Sequence, residues 1–154
     1  MFKYLFLLYL LVVSLNANTH SREAHLYTND IKELALIKKD AIYYGYGERL
    51  IHVFLDPLCP YSRKFLQTLT ENELMLQKYR YAIYLYSIPR LKSTQSVAAV
   101  YESQTPLETL LEIMLQDAKY KNLLSYVSQK KVEAIATVAK KLDVNKRPFL
   151  VVEE

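Results

Sequence analysis

Hydrophobic and polar positions alternate along this chain with periods that predict strands and helices in turn. Residues 51–55 form an apolar run of about strand length that does not alternate, which favours a strand covered on both faces. Residues 81–88 predict a second strand that ends at Pro89, and residues 149–152 predict a third. The Tyr-rich segment 41–48 predicts a further strand and a turn, because it holds both glycines of the chain.

A helix is predicted immediately after the first of these strands. Asp56 and Pro57 break the strand, and Pro60 suits the first position of a helix, where the missing N–H is not needed. Tyr61, Phe65 and Leu69 follow at a spacing of four residues, which places them on one predicted face.

Further helical patterns fill the rest of the chain. Thr105, Pro106 and Glu108 read as an N-cap, a first-position proline and a capping-box acid. Helical spacing of apolar residues also occurs in the stretch after Pro89 and at residues 30–38, 71–79, 107–118 and 129–142. Because the order is strand, helix, strand, several helices and strand, we expect an α/β domain with a right-handed parallel unit.

The beginning of the chain predicts export. Lys3 precedes an apolar run over residues 4–13, and small or polar residues follow, with a cleavage position after Ala17. We therefore expect a signal peptide at 1–17, an N-terminal extension at 18–39, one domain at 40–154 and a periplasmic location. An uncleaved signal that anchors the chain in a membrane is the alternative.

Composition narrows the classes of function. The chain has 154 residues, is 51% apolar and carries a formal net charge of +4 that is spread over short lysine pairs with acids nearby. This distribution argues against a nucleic-acid-binding surface. A zinc site would need the only cysteine and the three scattered histidines to converge, so we expect no metal and no other cofactor.

Cys59 is the only cysteine, and in an exported chain it cannot form an internal disulfide. It is free, capped by a small thiol, or joined to another molecule, including a second copy in a disulfide-linked homodimer. A lone cysteine is commonly an inert, buried hydrophobe. The sequence context instead indicates a reactive thiol, because the residue lies between a strand end and a helix start, where open α/β sheets place their sites.

Some neighbours of Cys59 stabilise its thiolate form relative to the thiol, and one neighbour destabilises it. The helix start, a hydrogen bond from Ser62 and the positive charges of Arg63 and Lys64 favour it. Asp56 opposes it, since a nearby carboxylate repels a second negative charge.

The segment "VFLDPLCPYSRKF" at 53–65 resembles the active-site region of thioredoxin-fold proteins, and most closely the periplasmic Dsb-type disulfide isomerases of the DsbC/DsbG kind. The resemblance implies a thioredoxin-like fold with a helical insertion between the second and third core strands. It also implies that Pro148 is a cis-proline beside the active-site sulfur and that Arg147 presents backbone groups to a bound peptide. Pro60 and Tyr61 would complete the substrate contact, with Asp56 and Pro57 in support.

Three positions depart from that family. Ser62 stands where the family has a second cysteine, and Arg147 stands where threonine is common. The chain ends at Glu154, where the family continues with a strand and a helix, so we expect a truncated fold or a hydrophobic edge covered by the 41–46 segment or by a partner.

These features predict monothiol exchange with disulfide-containing proteins or small thiols. Cys59 would be the nucleophile and Ser62 its stabiliser. Release would require a thiol of the substrate or an outside thiol, because Ser62 cannot resolve a mixed disulfide. One alternative is a non-catalytic peptide-binding or adaptor protein on a degenerate thioredoxin-like scaffold. Another is a decayed or truncated product without stable function.

Overall fold

The computed structural model describes residues 29–153, and in this part of the chain four strands form one sheet with the order β1-β3-β2-β4. The two central strands are parallel, whereas β1 is antiparallel to β3 and β4 is antiparallel to β2. The predicted parallel unit is therefore confirmed. The strands are β1 (Ile42–Tyr44), β2 (Arg49–Leu55), β3 (Tyr79–Leu85) and β4 (Phe149–Val152).

Helices connect these strands in two groups. The first two lie between β2 and β3, and the other three lie between β3 and β4. This second group is the predicted insertion between the second and third core strands. The helices are α1 (Pro60–Thr70), α2 (Glu73–Lys78), α3 (Thr94–Glu102), α4 (Pro106–Leu115) and α5 (Tyr126–Lys141), with short 3-10 turns at Lys38–Asp40 and Pro89–Leu91.

The N-terminal predictions are only partly within the described residues. The chain divides into a unit that ends at Ala35 and a unit that begins at Leu36. Residues 29–35 of the first unit are helical, which is shorter than the predicted helix at 30–38. The predicted signal peptide at 1–17 lies outside the described residues, and between residues 29 and 153 no helix is long and apolar enough to cross a membrane.

The two central strands form the core of the sheet. Every residue of β2 after Arg49 is buried, and β3 is buried from Tyr81 to its end. Burial on both faces matches the continuous apolar runs of these strands. The parallel register pairs Leu55 with Leu85, so the two strands end side by side, and the loops around Cys59 begin there.

Two local predictions about helices were only partly right. The face of α1 that packs inward carries Ser62, Leu66 and Leu69, whereas Tyr61 is 74% exposed, so the buried face is rotated from the predicted one. The reason is that the buried Ser62 hydroxyl finds a backbone partner, so a polar residue occupies an inward position. At α4, Thr105 is the N-cap residue and Pro106 is the first helical residue, as predicted. The Thr105 side chain makes no capping hydrogen bond, however, and the Ser103 hydroxyl accepts from the Thr105 N–H.

Strand β4 forms one edge of the sheet in the described part of the chain. Leu150 and Val152 lie on one face of this strand and are 42% and 46% exposed. The strand within the 41–46 segment is β1, which pairs with β3 at the opposite edge. The expectation that this segment covers β4 was therefore wrong.

Candidate functional site

Cys59 lies between the carboxyl end of β2 and the first turn of α1, as the sequence predicts. It is the N-cap residue of the helix, with an extended backbone (φ −77°, ψ 122°). Its carbonyl accepts from the Arg63 N–H at 3.0 Å, and its own N–H donates to the Asp56 carbonyl at 3.0 Å. The unpaired N–H groups of a helix start favour negative charge at this position. Cys59 is only 5% exposed, so its backbone is held firmly and its sulfur has little open surface.

Pro148 and Arg147 reach the cysteine from the far end of the sequence. The Arg147–Pro148 peptide bond is cis, and β4 begins at the next residue. Because β4 pairs with β2, this bond lies beside the end of β2, and the Arg147 carbonyl is 3.8 Å from the Cys59 sulfur. The structure therefore brings together the two sequence segments that carried the resemblance, with the thiol donating to that carbonyl.

Ser62 makes a different contact from the expected one. The side chain is fully buried, and its hydroxyl oxygen accepts from the Asp56 N–H at 3.3 Å. Among the hydrogen bonds of the described residues, none joins Ser62 to the Cys59 sulfur. In this structure Ser62 stabilises the loop around Cys59 rather than the sulfur itself.

Asp56 is a structural centre of the site. Its carboxylate is fully buried and accepts from the Leu58 N–H at 2.8 Å, from the Ser93 hydroxyl at 2.9 Å and from the Ile88 N–H. These donors belong to the loop after β2 and to the segment after β3. Asp56 thus joins the two loops at the carboxyl end of the parallel strands.

Arg63 does not act as a free positive charge near the sulfur. Its guanidinium donates to the Pro57 carbonyl at 3.2 Å, to the Ile113 carbonyl at 3.3 Å and to the Asp117 carboxylate. The hydrogen bond from Arg63 lowers the pKa of the exposed Asp117 carboxyl. Arg63 therefore fastens α1 to the end of α4, and its charge is already matched.

The Arg147 side chain has a function that sequence reasoning missed. Its guanidinium stacks on the Tyr86 ring at 4.1 Å from the ring centroid and donates to the Tyr86 carbonyl at 3.0 Å. It also reaches the Ser87 and Val144 carbonyls, both at 3.4 Å. No local pattern could reveal this, because Tyr86 is 61 residues away in sequence. The stack fixes the carbonyl that faces Cys59.

The other predicted contact residues lie on the surface. Pro60 is exposed, and Tyr61 is exposed over 74% of its area. The two residues therefore form an exposed surface directly after the nearly buried Cys59.

His52 belongs to a separate polar group and does not pair with Cys59. Its ring lies in β2 with 1% exposure, and its two nitrogens are 3.0 Å from the Tyr84 hydroxyl and 3.2 Å from Glu153. Burial lowers the pKa of His52. Burial alone would raise the pKa of Glu153, but the hydrogen bonds from His52 and Lys38 outweigh it, and that pKa is lowered. Within residues 29–153, no group of three or more His, Cys, Asp or Glu side chains is arranged to hold a metal ion.

Two surface grooves lie elsewhere. Their volumes are about 290 and 360 Å³, and Lys39, Asp40 and Lys131 contribute to both. Neither is lined by Cys59 or by the residues that contact it, so they are not part of this site.

Comparison with known proteins identifies the fold. No protein-family model matches the sequence, and no curated protein is significantly similar to it. Among solved structures, the chain is similar to Helicobacter pylori DsbG, with a TM-score of 0.66, 17% identity and coverage of 93% of this chain and 69% of that one. A disulfide interchange protein from Neisseria gonorrhoeae superimposes with a TM-score of 0.61 at 13% identity, over 76% of this chain and 86% of that one.

A third structure agrees with these two. A periplasmic thioredoxin-like protein from Salmonella enterica serovar Typhimurium superimposes with a TM-score of 0.60 at 14% identity, over 73% of this chain and 77% of that one. The chain has the thioredoxin-like fold of Dsb-type proteins.

Proposed function

We propose that this protein carries out monothiol exchange with disulfides through Cys59. The observation that supports this most directly is the position of the sulfur, at the start of α1 and 3.8 Å from the Arg147 carbonyl. The disulfide interchange protein among its structural neighbours has the same fold. A Cys59 thiol that is part of this fold and lacks a second thiol at position 62 can attack a disulfide but cannot resolve the product alone.

The proposed reaction is an exchange without net oxidation. The Cys59 thiolate attacks one sulfur of a substrate disulfide, a new sulfur–sulfur bond forms, and the other substrate sulfur leaves as a thiolate. A thiol of the substrate or an external thiol then attacks the mixed disulfide and regenerates Cys59. In this scheme the backbone beside Pro148 and the exposed Tyr61 receive the substrate chain.

Location and partners follow from the same proposal. Disulfide exchange is useful in an oxidising compartment. The predicted signal peptide and the periplasmic Salmonella neighbour both support the periplasm. Partners would be exported proteins with thiols or disulfides, or small thiols.

The test is the fate of Cys59 after addition of a neutral disulfide. Folded wild-type protein is incubated with hydroxyethyl disulfide and followed by intact mass spectrometry. We expect a mixed disulfide that persists until an external thiol is added, and none in Cys59→Ala. The matched Ser62→Cys variant should resolve the same adduct internally and release the small thiol. If folded wild-type protein fails to react while the denatured chain reacts fully, the proposal is wrong.

The low exposure of Cys59 favours a second candidate, a peptide-binding protein with an inert thiol. In that case Pro60, Tyr61 and the Arg147–Pro148 backbone would bind a chain without covalent chemistry. Partner capture would then be the same in wild-type protein and in Cys59→Ala, whereas capture that depends on Cys59 supports exchange.

A further inference from the structure

We infer that the site selects disulfides that carry carboxylates close to the reacting sulfur, an inference that rests on the proposed exchange at Cys59. The loops beside the cysteine carry Arg90, Lys92, Lys146 and Arg147, which we call the cationic rim. The first three side chains are exposed, and within residues 29–153 no carboxylate forms an ion pair with any of the four.

Hydrogen bonds place these loops next to the sulfur. The Arg147 carbonyl contacts the Cys59 sulfur at 3.8 Å, and Lys146 is the preceding residue. The Arg147 side chain binds the Tyr86 and Ser87 carbonyls of the loop that follows β3.

Arg90 and Lys92 belong to that same loop. Its Ile88 N–H donates to Asp56, which is joined to Cys59 by a backbone hydrogen bond. Arg90 lies two residues beyond Ile88, so their Cα atoms are separated by at most about 7 Å. The 3-10 turn at Pro89–Leu91 keeps this segment compact.

The acids of this region do not cancel the rim. Asp56 is fully buried with its oxygens occupied, and Asp117 is bound to Arg63. Asp143 is the exposed acid of the loop that contains Lys146 and Arg147. The hydrogen bonds to Asp56 come from neutral groups and leave its charge in place. Four cations against the two carboxylates of Asp56 and Asp143 still leave the surroundings of Cys59 net positive.

This charge acts on the approach of the substrate. In the exchange step, the Cys59 sulfur bonds to one sulfur of the anionic disulfide, and the other leaves as an anionic thiolate. Both the incoming disulfide and the departing thiolate are attracted by the cationic rim, and such fields raise association rates by about 10–10³-fold at low salt. The carboxylates can belong to an acidic polypeptide segment or to a small acidic thiol compound.

The experiment compares three small disulfides that differ mainly in charge. Rate constants for mixed-disulfide formation on the full chain are measured with dithiodipropionate (dianion), hydroxyethyl disulfide (neutral) and cystamine (dication). Each is divided by the rate for a neutral small thiol in the same buffer, which removes intrinsic reactivity. We expect the dianion to be favoured over the neutral reagent about tenfold at low salt. The ratio should fall as the Debye length shortens from about 30 Å at 0.01 M to about 10 Å at 0.1 M.

Two matched triple variants locate the effect. Arg90→Gln, Lys92→Gln and Lys146→Gln together should bring the dianion-to-neutral ratio close to one. Arg49→Gln, Lys78→Gln and Arg80→Gln remove the same charge at the opposite end of the sheet, about 20 Å away along the strands. This control should keep most of the preference.

Peptide disulfides distinguish the two sources of carboxylate. A short cysteine peptide flanked by glutamates is compared with the same peptide flanked by glutamines. A preference for the glutamate peptide that exceeds the preference for dithiodipropionate indicates a polypeptide substrate, and the reverse order indicates a small acidic thiol compound.

The outcome also separates this inference from the proposed function. If all three disulfides react and their normalised rates are equal, or if both triple variants lose the preference equally, charge selection by the rim is overturned while exchange stands. If none reacts with the folded protein, the proposed function itself fails.

Discussion

Asp56 joins the two loops beside Cys59, and replacing it with asparagine tests whether that junction supports the site. The carboxylate accepts hydrogen bonds from Leu58, Ile88 and Ser93 and is fully buried. Asparagine has nearly the same shape but offers one acceptor oxygen and two N–H donors. Two of the three partners are backbone N–H groups, and the single amide oxygen can accept from only one of these two positions. At the other position the amide NH2 group would face a backbone N–H, and no hydrogen bond could form.

The expected loss of stability follows from these contacts. Hydrogen bonds to a charged group contribute about 1.5–3 kcal/mol each, and a buried donor left without a partner costs about 1–3 kcal/mol. The Ser93 hydroxyl can reverse and accept, so its bond is largely kept. The neutral amide also avoids the desolvation of a buried charge, which lowers the total. We expect Asp56→Asn to reduce the free energy of unfolding by about 2–4 kcal/mol.

Urea unfolding followed by circular dichroism measures this loss, with two variants for comparison. Ser93→Ala removes one donor and should cost about 1 kcal/mol. Asp117→Asn removes a carboxylate whose side chain is 78% exposed and should leave stability nearly unchanged, because solvent screens its ion pair with Arg63. An Asp56→Asn variant as stable as Asp117→Asn would refute the reasoning, because it would mean that the buried carboxylate does not hold the loops together.

Two further predictions concern the sheet. His52 has a pKa below its ordinary value of 6.5 because it is buried, so acidification stabilises the unfolded chain, which takes up the proton first. Unfolding is measured between pH 7.0 and 5.5, from about half a unit above 6.5 to one unit below it. As the pH falls, this group should lower the free energy of unfolding by at most about 1.4 kcal/mol per pH unit, and His52→Gln should flatten that slope. An unchanged slope in His52→Gln would contradict a lowered pKa at His52. Gly47→Ala would place a Cβ 2.1 Å from the Lys78 carbonyl carbon, so thermal unfolding should report a loss above about 2 kcal/mol. A neutral result would show that the loop after β1 does not lie against the end of α2 at Lys78.

The sequence predicted the parts of this fold that depend on local pattern. Continuous apolar runs located β2 and β3, and Pro60 located the start of α1, because each signal lies within a few residues. The four residues of β4 were found with their observed bounds. The residue pattern also placed Cys59 between a strand end and a helix start. The place of Pro148 beside it came from a motif resemblance, which supplied the long-range pairing that no local pattern contains.

The rest depended on contacts between distant segments. The predicted apolar face of α1 shares only Leu69 with the buried face, because Tyr61 counts as apolar and Ser62 as polar in any periodicity. Only the Asp56 N–H, which becomes available where β2 ends, makes a buried serine acceptable there. The stack of Arg147 on Tyr86 could not be predicted from the sequence either, because only the folded chain brings these two residues together.

The side chain at position 62 determines both whether a mixed disulfide can be resolved internally and how firmly the loop around Cys59 is held. A fully buried hydroxyl is unfavourable unless it is hydrogen-bonded, and here it meets a backbone N–H that would otherwise be left without a partner. A thiol is a weaker acceptor than a hydroxyl, so a cysteine at this position would hold the Asp56 N–H less well. Internal resolution of a mixed disulfide and firm anchoring of the loop therefore compete for one side chain. A serine at position 62 favours the anchored loop, and under the proposed exchange the release of a partner bound to Cys59 then depends on a thiol of that partner or on an external thiol.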